Sequence, residues 1–567
     1  MQVRLWMGPA GSGKTHRCVE AIRARLRESV EGPPLVLLGP RQMTFQLERQ
    51  MLAGAVPEGY TRLLVVSFER LCHWLWEELG GANLRWLTAE GRTMVMRSLL
   101  GRLKDELRVL RAGMRRPGLA GEVSEAWVTC KRYRVTAARL ARVATELEDR
   151  RLAEKLRDWA RLGEAYEEWL ARHGLADVQA LAERVVELLE QRVGRGAWIE
   201  GVWVDGFAEL APHEVALLAA LTRHCREMTV TFCLDRSGWE RGGWLTPWRR
   251  VERSKERFLS ALAGRSDVEI EQEWLEPRLE VGRFDACPGL SAWERAWAWG
   301  RPVGGRAGPE GSVRLVSCED PVAEARFAAR EIWRFVRAGG RFREVLVLVR
   351  DLEAAHGPLR RVFGEYEIPC HWDRREPVSH HPVVVLTRGA LRLVARDWRL
   401  ADWLSVLKSG LVRGAAAEEL DALENEALAC GWEGRSVWWG EDARAWWRGR
   451  GTGGGERWER LLGPWREWDE VLGSGARSVE GGELVRALRR LWGALRVEEQ
   501  LEEWAAEAPE CGGGAGEVVP GGSVHRTVWE AVQVWLEDVE LAFGSERLGW
   551  SEWLPVLEAG LAGLTGG

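Results

Sequence analysis

Residues Gly8-Pro9-Ala10-Gly11-Ser12-Gly13-Lys14-Thr15 fit the spacing G-x-x-x-x-G-K-[ST] at each fixed position. The apolar run from Val3 to Met7 leads directly into them, which predicts a buried β-strand. Behind them Val19, Ile22 and Leu26 recur at i, i+3 and i+7, the apolar face of a helix. Strand, glycine turn and helix in this order suit one chemistry. Successive backbone N–H groups around Gly11 and Gly13 close on phosphate oxygens only where side chains are absent. The helix N-terminus adds partial positive charge. Lys14 would then reach the β/γ-phosphates of ATP, and the Thr15 hydroxyl would serve Mg²⁺. The bland alternative is a glycine turn that happens to precede a lysine. It is the weaker reading, because only six of the 567 residues are Lys.

Composition narrows the class further. With 46% hydrophobic and 29% charged residues, the chain has ample material for several globular domains. No run of about twenty apolar residues suggests a membrane span. The first apolar run passes straight into the glycine loop, which argues against a signal peptide. Ten Cys occur without a C-x-x-C pair, against a disulfide framework or compact zinc site, and a cytoplasmic location is expected. The excess of Arg over Lys, and 34 Trp against 4 Tyr, read as base-composition bias rather than function. Net charge is −5, so any nucleic-acid contact must use a local basic groove or a partner's charge.

Along the chain, Leu35–Leu38 and Leu63–Val66 are further apolar runs that lead into helical patterns, predicting a parallel, doubly wound sheet. Ligands in such sheets sit at the carboxyl ends of strands. Thr44, Phe45, Ser67 and Phe68 would lie on that rim. Strand signal fades between residues 87 and 193, where 3.6-residue periodicity dominates. It returns in Val202-Trp203-Val204-Asp205 and Met228–Asp235. An acid that ends a strand downstream of a phosphate loop suits Mg²⁺, usually through water, so Asp205 joins Thr15 as a candidate metal residue. Residues 287–312 are rich in Gly, Pro and Arg and read as a linker. Beyond them, Ser312–Ser317 and Val345–Val349 read as strands of a second α/β domain, the latter buried. Residues from about 397 are helical and Trp-rich, interrupted by glycine tracts at 449–455 and 511–522. His380-His381 before Pro382 reads as a turn into a helix rather than a metal site.

Taken together, these motifs resemble a known family. The phosphate loop is followed by Pro40-x-Gln42-Met43-Thr44-Phe45-Gln46-x-Glu48, Ser67-Phe68-x-Arg70-Leu71 and Asp205-Gly206-Phe207. Then come Val347-Leu348-Val349-Arg350-Asp351, Ile368-Pro369, His381-Pro382, Leu407-Lys408-Ser409-Gly410-Leu411 and Leu423-Glu424-Asn425. The set resembles the B subunit of the bacterial AddAB-type ATP-dependent helicase–nuclease, over nearly the whole chain. The resemblance implies an α/β, superfamily 1 helicase-like body with two RecA-like P-loop cores and large helical insertions. The first core would comprise 1–86 and 196–285 around an insertion at 87–195. A linker at 286–312, an incomplete second core at 313–396 and its helical insertion at 397–567 would follow. It further implies an A subunit as partner, processing of double-strand DNA breaks, and help in recognising Chi on single-stranded DNA. Gly8 through Thr15 would hold ATP, Asp205 would sit near Mg²⁺, and Gln42, Thr44 and Phe45 would line the DNA side with Ser67 and Phe68.

Departures from the family pattern matter as much. Gly206 stands where an active helicase carries Glu, and Leu290–Trp297 offers no evident arginine to sense a γ-phosphate. Both suggest ATP binding with little or no hydrolysis. Family members continue into a nuclease domain held by a cysteine-ligated iron–sulfur cluster. No Cys cluster follows Cys511 here and Lys408 is the last lysine, so neither DNA cleavage nor that cluster is expected of these residues. Two other readings compete: a stand-alone P-loop phosphotransferase for a small molecule, and a structural subunit with a vestigial P-loop. The first lacks a need for a second core and long helical insertions. Nucleotide affinity separates the second.

Overall fold

A computed structural model of the chain describes residues 1–53, 59–81, 84–114, 116, 118–192, 194, 196–236, 246, 248–276, 289–290, 293–294, 313–372, 376–449, 454–473, 478–507 and 523–566. Most of the linker, including the 290–297 segment apart from a few residues, lies outside the described residues, as do 450–453 and 508–522. The chain forms two compact units. The first comprises 1–84, 127–136 and 178–315, and the second 85–126, 137–177 and 316–567.

The first unit is built on a six-stranded parallel sheet. Its strands are β1 (Gln2–Gly8), β2 (Leu35–Leu38), β3 (Leu63–Val66), β4 (Ile199–Val204), β5 (Cys225–Cys233) and β6 (Glu269–Trp274). They lie in the order β3-β2-β4-β5-β1-β6, with every pairing parallel. The central strands are near-continuous apolar runs because both faces are covered by helices, as a parallel sheet requires. Helices α1 (Lys14–Glu28), α2 (Thr44–Leu52) and α3 (Phe68–Glu78) each follow a strand. Helices α4 (Leu181–Gln191), α5 (Pro212–Leu221) and α6 (Arg249–Leu262) also belong to this unit. Val19, Ile22 and Leu26 of α1 are buried against Leu35, Leu37, Leu63 and Val65, as the periodicity predicted. Strand β6, Glu-Ile-Glu-Gln-Glu-Trp, escapes a hydrophobicity reading. It is an edge strand whose first four side chains face solvent.

The second unit is mainly helical. Among the described residues, three short pairings tie it: Arg85–Leu87 with Leu175–Asp177, Glu376–Pro377 with Thr565–Gly566, and Val479–Glu480 with Arg547–Leu548. Its polar interior is specific. Arg92 is almost fully buried, 3.1 Å from Asp177, and its Nε donates to Ser124 Oγ at 2.9 Å. Tyr166 donates to the other Asp177 oxygen at 2.8 Å. Many tryptophans fill this unit, with Trp398 packed edge-on to Trp403, Trp439 and Trp465 at centroid distances of 5.2, 5.1 and 6.4 Å.

The structure corrects the expectation of a buried strand at Val345–Val349. Leu346 and Leu348 are 77% and 84% exposed, and neither this run nor Val313–Ser317 joins a sheet among the described residues. Apolar, β-branched content favours extended backbone, but a strand is buried only when neighbours take its N–H and C=O groups. The flanking helices Pro321–Arg337 and Leu352–Glu365 do form, and pack through Ala325, Ala329, Ile332, Leu359, Val362 and Phe363. Phe335, on the first of these helices, is exposed.

Candidate nucleotide site

Three successive elements position the phosphate loop. β1 ends at Gly8, the turn runs through Gly11 and Gly13, both at φ 83°, and α1 starts at Lys14. A left-handed conformation at both glycines lets consecutive N–H groups turn toward one centre, which a residue with a Cβ would resist. Ser12 N–H donates to Pro9 C=O at 3.2 Å and closes the turn. Lys14 Nζ reaches back across the loop and donates to the carbonyls of Gly8 and Pro9, each at 2.7 Å.

Asp205 follows β4, two strands from β1, with β5 in between. It is buried, yet both carboxylate oxygens are satisfied. Thr15 Oγ1 donates to Oδ2 at 2.6 Å, and Thr231 Oγ1, on β5, donates to Oδ1 at 2.6 Å. A threonine that spends its proton on Asp205 keeps its lone pairs for a cation. Hard oxygen donors, one carboxylate and one hydroxyl beside a phosphate cradle, suit Mg²⁺, which takes few protein ligands and completes its shell with phosphate and water. Thr15 and Asp205 are thus brought together across 190 residues of sequence. Thr231 was missed as a site residue. The available signal was a threonine amid the buried run Val230–Phe232, where a hydroxyl needs a partner.

Gly206, the residue after Asp205, has φ 84°. A Cβ built there would lie 2.9 Å from Met43 Sδ and 3.2 Å from Pro40 Cδ. Geometry therefore selects glycine, and the nearest acid downstream, Glu209, is otherwise engaged. It accepts from Tyr133 Oη at 3.1 Å and lies 3.8 Å from Arg257.

The remaining candidates sort by exposure. Phe45, early in α2, is 68% exposed, and the Thr44 hydroxyl donates to Arg41 C=O at 2.9 Å. Gln42 lies in the short turn of 3₁₀ helix before α2. Ser67 caps α3, accepting from Arg70 N–H at 3.4 Å. Phe68 is only 9% exposed, and its ring packs on Phe207 at 5.0 Å. It joins the loops after β3 and β4 instead of presenting an aromatic face. His381 caps the helix Pro382–Ala395, the turn into a helix that the sequence predicted. Its Nε2 also lies 2.9 Å from His525 Nδ1.

Residues 5–294 match the family model described as ADDB, N-terminal. The B subunit of the ATP-dependent helicase/deoxyribonuclease of Moorella thermoacetica is 34% identical over the whole chain, and that of Pelotomaculum thermopropionicum 33%. The corresponding protein of Desulforudis audaxviator is 34% identical, again over the whole chain. In each case the match covers 49% of the relative, so the chain spans about half the length of the curated relatives it matches. With a family model over half its residues and relatives above 30% identity along its whole length, the chain belongs to the family of ATP-dependent helicase/deoxyribonuclease B subunits.

Proposed function

We propose that this chain is the ATP- and DNA-binding part of a B subunit that works in a helicase–nuclease complex on broken DNA ends. One observation carries the nucleotide half of this reading: Thr15, Asp205 and Thr231 form one hydrogen-bonded set behind a glycine loop that already carries Lys14. Gly8, Pro9, Ala10, Gly11, Ser12, Gly13, Lys14 and Thr15 hold the phosphates, and Thr15 with Asp205 holds Mg²⁺, which supplies charge neutralisation between the phosphoryl groups. The parallel sheet is read as a RecA-like core, and the 313–396 region as part of a second one. Gln42, Thr44, Phe45 and Ser67 lie along a single strand of DNA, with Phe45 offering a stacking face worth roughly 1–3 kcal/mol per base. Phe68 acts from behind, by holding the Phe207 loop. The partner is an A subunit that supplies the main motor, the compartment is the cytoplasm, and Chi recognition belongs to the same DNA face. No helix among the described residues is long and apolar enough to cross a membrane.

Hydrolysis is weak in this reading, because Gly206 supplies no carboxylate to orient water. Lys14→Ala should weaken ATP binding at least tenfold, about 1.4 kcal/mol, in a fluorescent-nucleotide titration. Equal affinities would favour a vestigial loop. Steady-state turnover faster than about one per second with single-stranded DNA, lost in Lys14→Ala, would replace the binding role with a working motor.

A further inference from the structure

Helix α6 is basic on the face turned away from the sheet. Val251, Ser254, Lys255, Phe258 and Leu262 are buried. Arg253, Glu256, Arg257 and Ser260, at i, i+3, i+4 and i+7, share the other side. Together with Arg134, Pro212 and Val215 they line a depression of about 500 Å³ within the first unit.

Three guanidinium groups border this depression, and two of them have no ion-pair partner among the described residues. Arg134, held at φ 55°, and Arg253 make no side-chain hydrogen bond or ion pair among the described residues. Arg257 has a 3.8 Å contact to Glu209, but its Nη1 is buried without a hydrogen-bond acceptor. Of the two acids nearby, Glu209 shares its carboxylate between Tyr133 and Arg257, and Glu256, which also lines the depression, faces Arg249 at 3.9 Å. Like charges at i, i+4 destabilise a bare helix slightly, and a buried donor without an acceptor costs more. A bound anion relieves the repulsion between the arginines. In a chain of net charge −5, such a local concentration of cations is what a polyanion requires.

We propose that Arg134, Arg253 and Arg257 form a backbone-phosphate site for a DNA strand, separate from the P-loop. The proposal rests on the DNA-binding reading above and adds a sequence-independent contact to it. Glu209 lies on the loop that follows Asp205, so this contact borders the loop that leaves the nucleotide site.

The test measures binding of a fluorescent single-stranded oligonucleotide to the full chain between about 0.05 and 0.4 M salt. Loss of one phosphate contact lowers the slope of log K against log salt by about 0.7. Curves that meet near 1 M then differ about fivefold at 0.1 M. Arg253→Ala/Arg257→Ala should show both effects, equally for oligonucleotides of different sequence, with ATP affinity unchanged. Arg253→Lys/Arg257→Lys should retain the wild-type slope, since phosphate responds to point charge. A wild-type slope in the alanine pair, with DNA still bound, overturns this site and leaves the DNA-binding reading standing. No DNA binding by the wild type overturns both. Loss of ATP or inorganic phosphate binding in the alanine pair, with an unaltered DNA slope, assigns the depression to free phosphate and also overturns the proposal. Equal loss of DNA affinity in both pairs, accompanied by an altered near-ultraviolet dichroism spectrum, would make the arginines structural and overturn it as well.

Discussion

Replacing Gly206 should damage the fold locally without awakening hydrolysis. The residue sits at φ 84°, and a left-handed backbone costs a residue with a Cβ roughly 1–2 kcal/mol. The added Cβ would also stand 2.9 Å from Met43 Sδ, closer than real Cβ atoms approach, so the thioether must leave its rotamer at about 0.5–1.5 kcal/mol. Gly206→Ala is therefore expected to lose about 1.5–3.5 kcal/mol, read as a lowered urea midpoint by far-ultraviolet dichroism. Adding Met43→Ala to Gly206→Ala removes the contact and leaves the backbone strain, so the Gly206 step in that background should shrink to about 1–2 kcal/mol. Gly206→Glu introduces an acid directly after Asp205, but its Cβ starts against Met43 and Pro40. ATP turnover should stay below about one per second. A midpoint for Gly206→Ala equal to wild type would refute the strain argument. Rapid, Lys14-dependent turnover in Gly206→Glu would refute the expectation of slow turnover.

Two further outcomes follow from the second unit. Asp177→Ala leaves the buried Arg92 and Tyr166 without their common acceptor and should cost about 3–5 kcal/mol; a loss below about 1 kcal/mol in urea unfolding would show that solvent reaches the pair. Asp538 is pushed up to about 6 by burial, against the opposing hydrogen bonds from Thr88 N–H and hydroxyl. A carboxyl whose folded pKa exceeds its unfolded value of 3.8 contributes stability that is complete below that value and lost as pH rises through about 6. Asp538→Asn should thus gain on the wild type between about pH 4 and 7, and stability curves that stay parallel across that window would contradict the burial argument.

Much of the first unit was legible because its signals are local. A phosphate loop needs its glycines, lysine and threonine adjacent, and a parallel sheet buried on both faces needs continuous apolar runs, so Gly8–Thr15, Leu35–Leu38, Leu63–Val66 and Val202–Val204 announce themselves in any window that contains them. What depends on partners distant in sequence did not. Thr231 joins the site only because β5 lies between β1 and β4, an order that hydropathy does not encode. Phe68 looked like a surface aromatic until Phe207 covered it, and Glu269–Trp274 proved to be a strand because β1 supplied its hydrogen bonds. Val345–Val349 shows the converse. Its five apolar residues determine a preference for extended backbone, but no strand pairs with it among the described residues, and its leucines face solvent. Sequence determines what each segment can bury and which chemistry it can carry. Tertiary structure decides which segments meet, because hydrogen-bond pairing and burial are properties of two surfaces, not one.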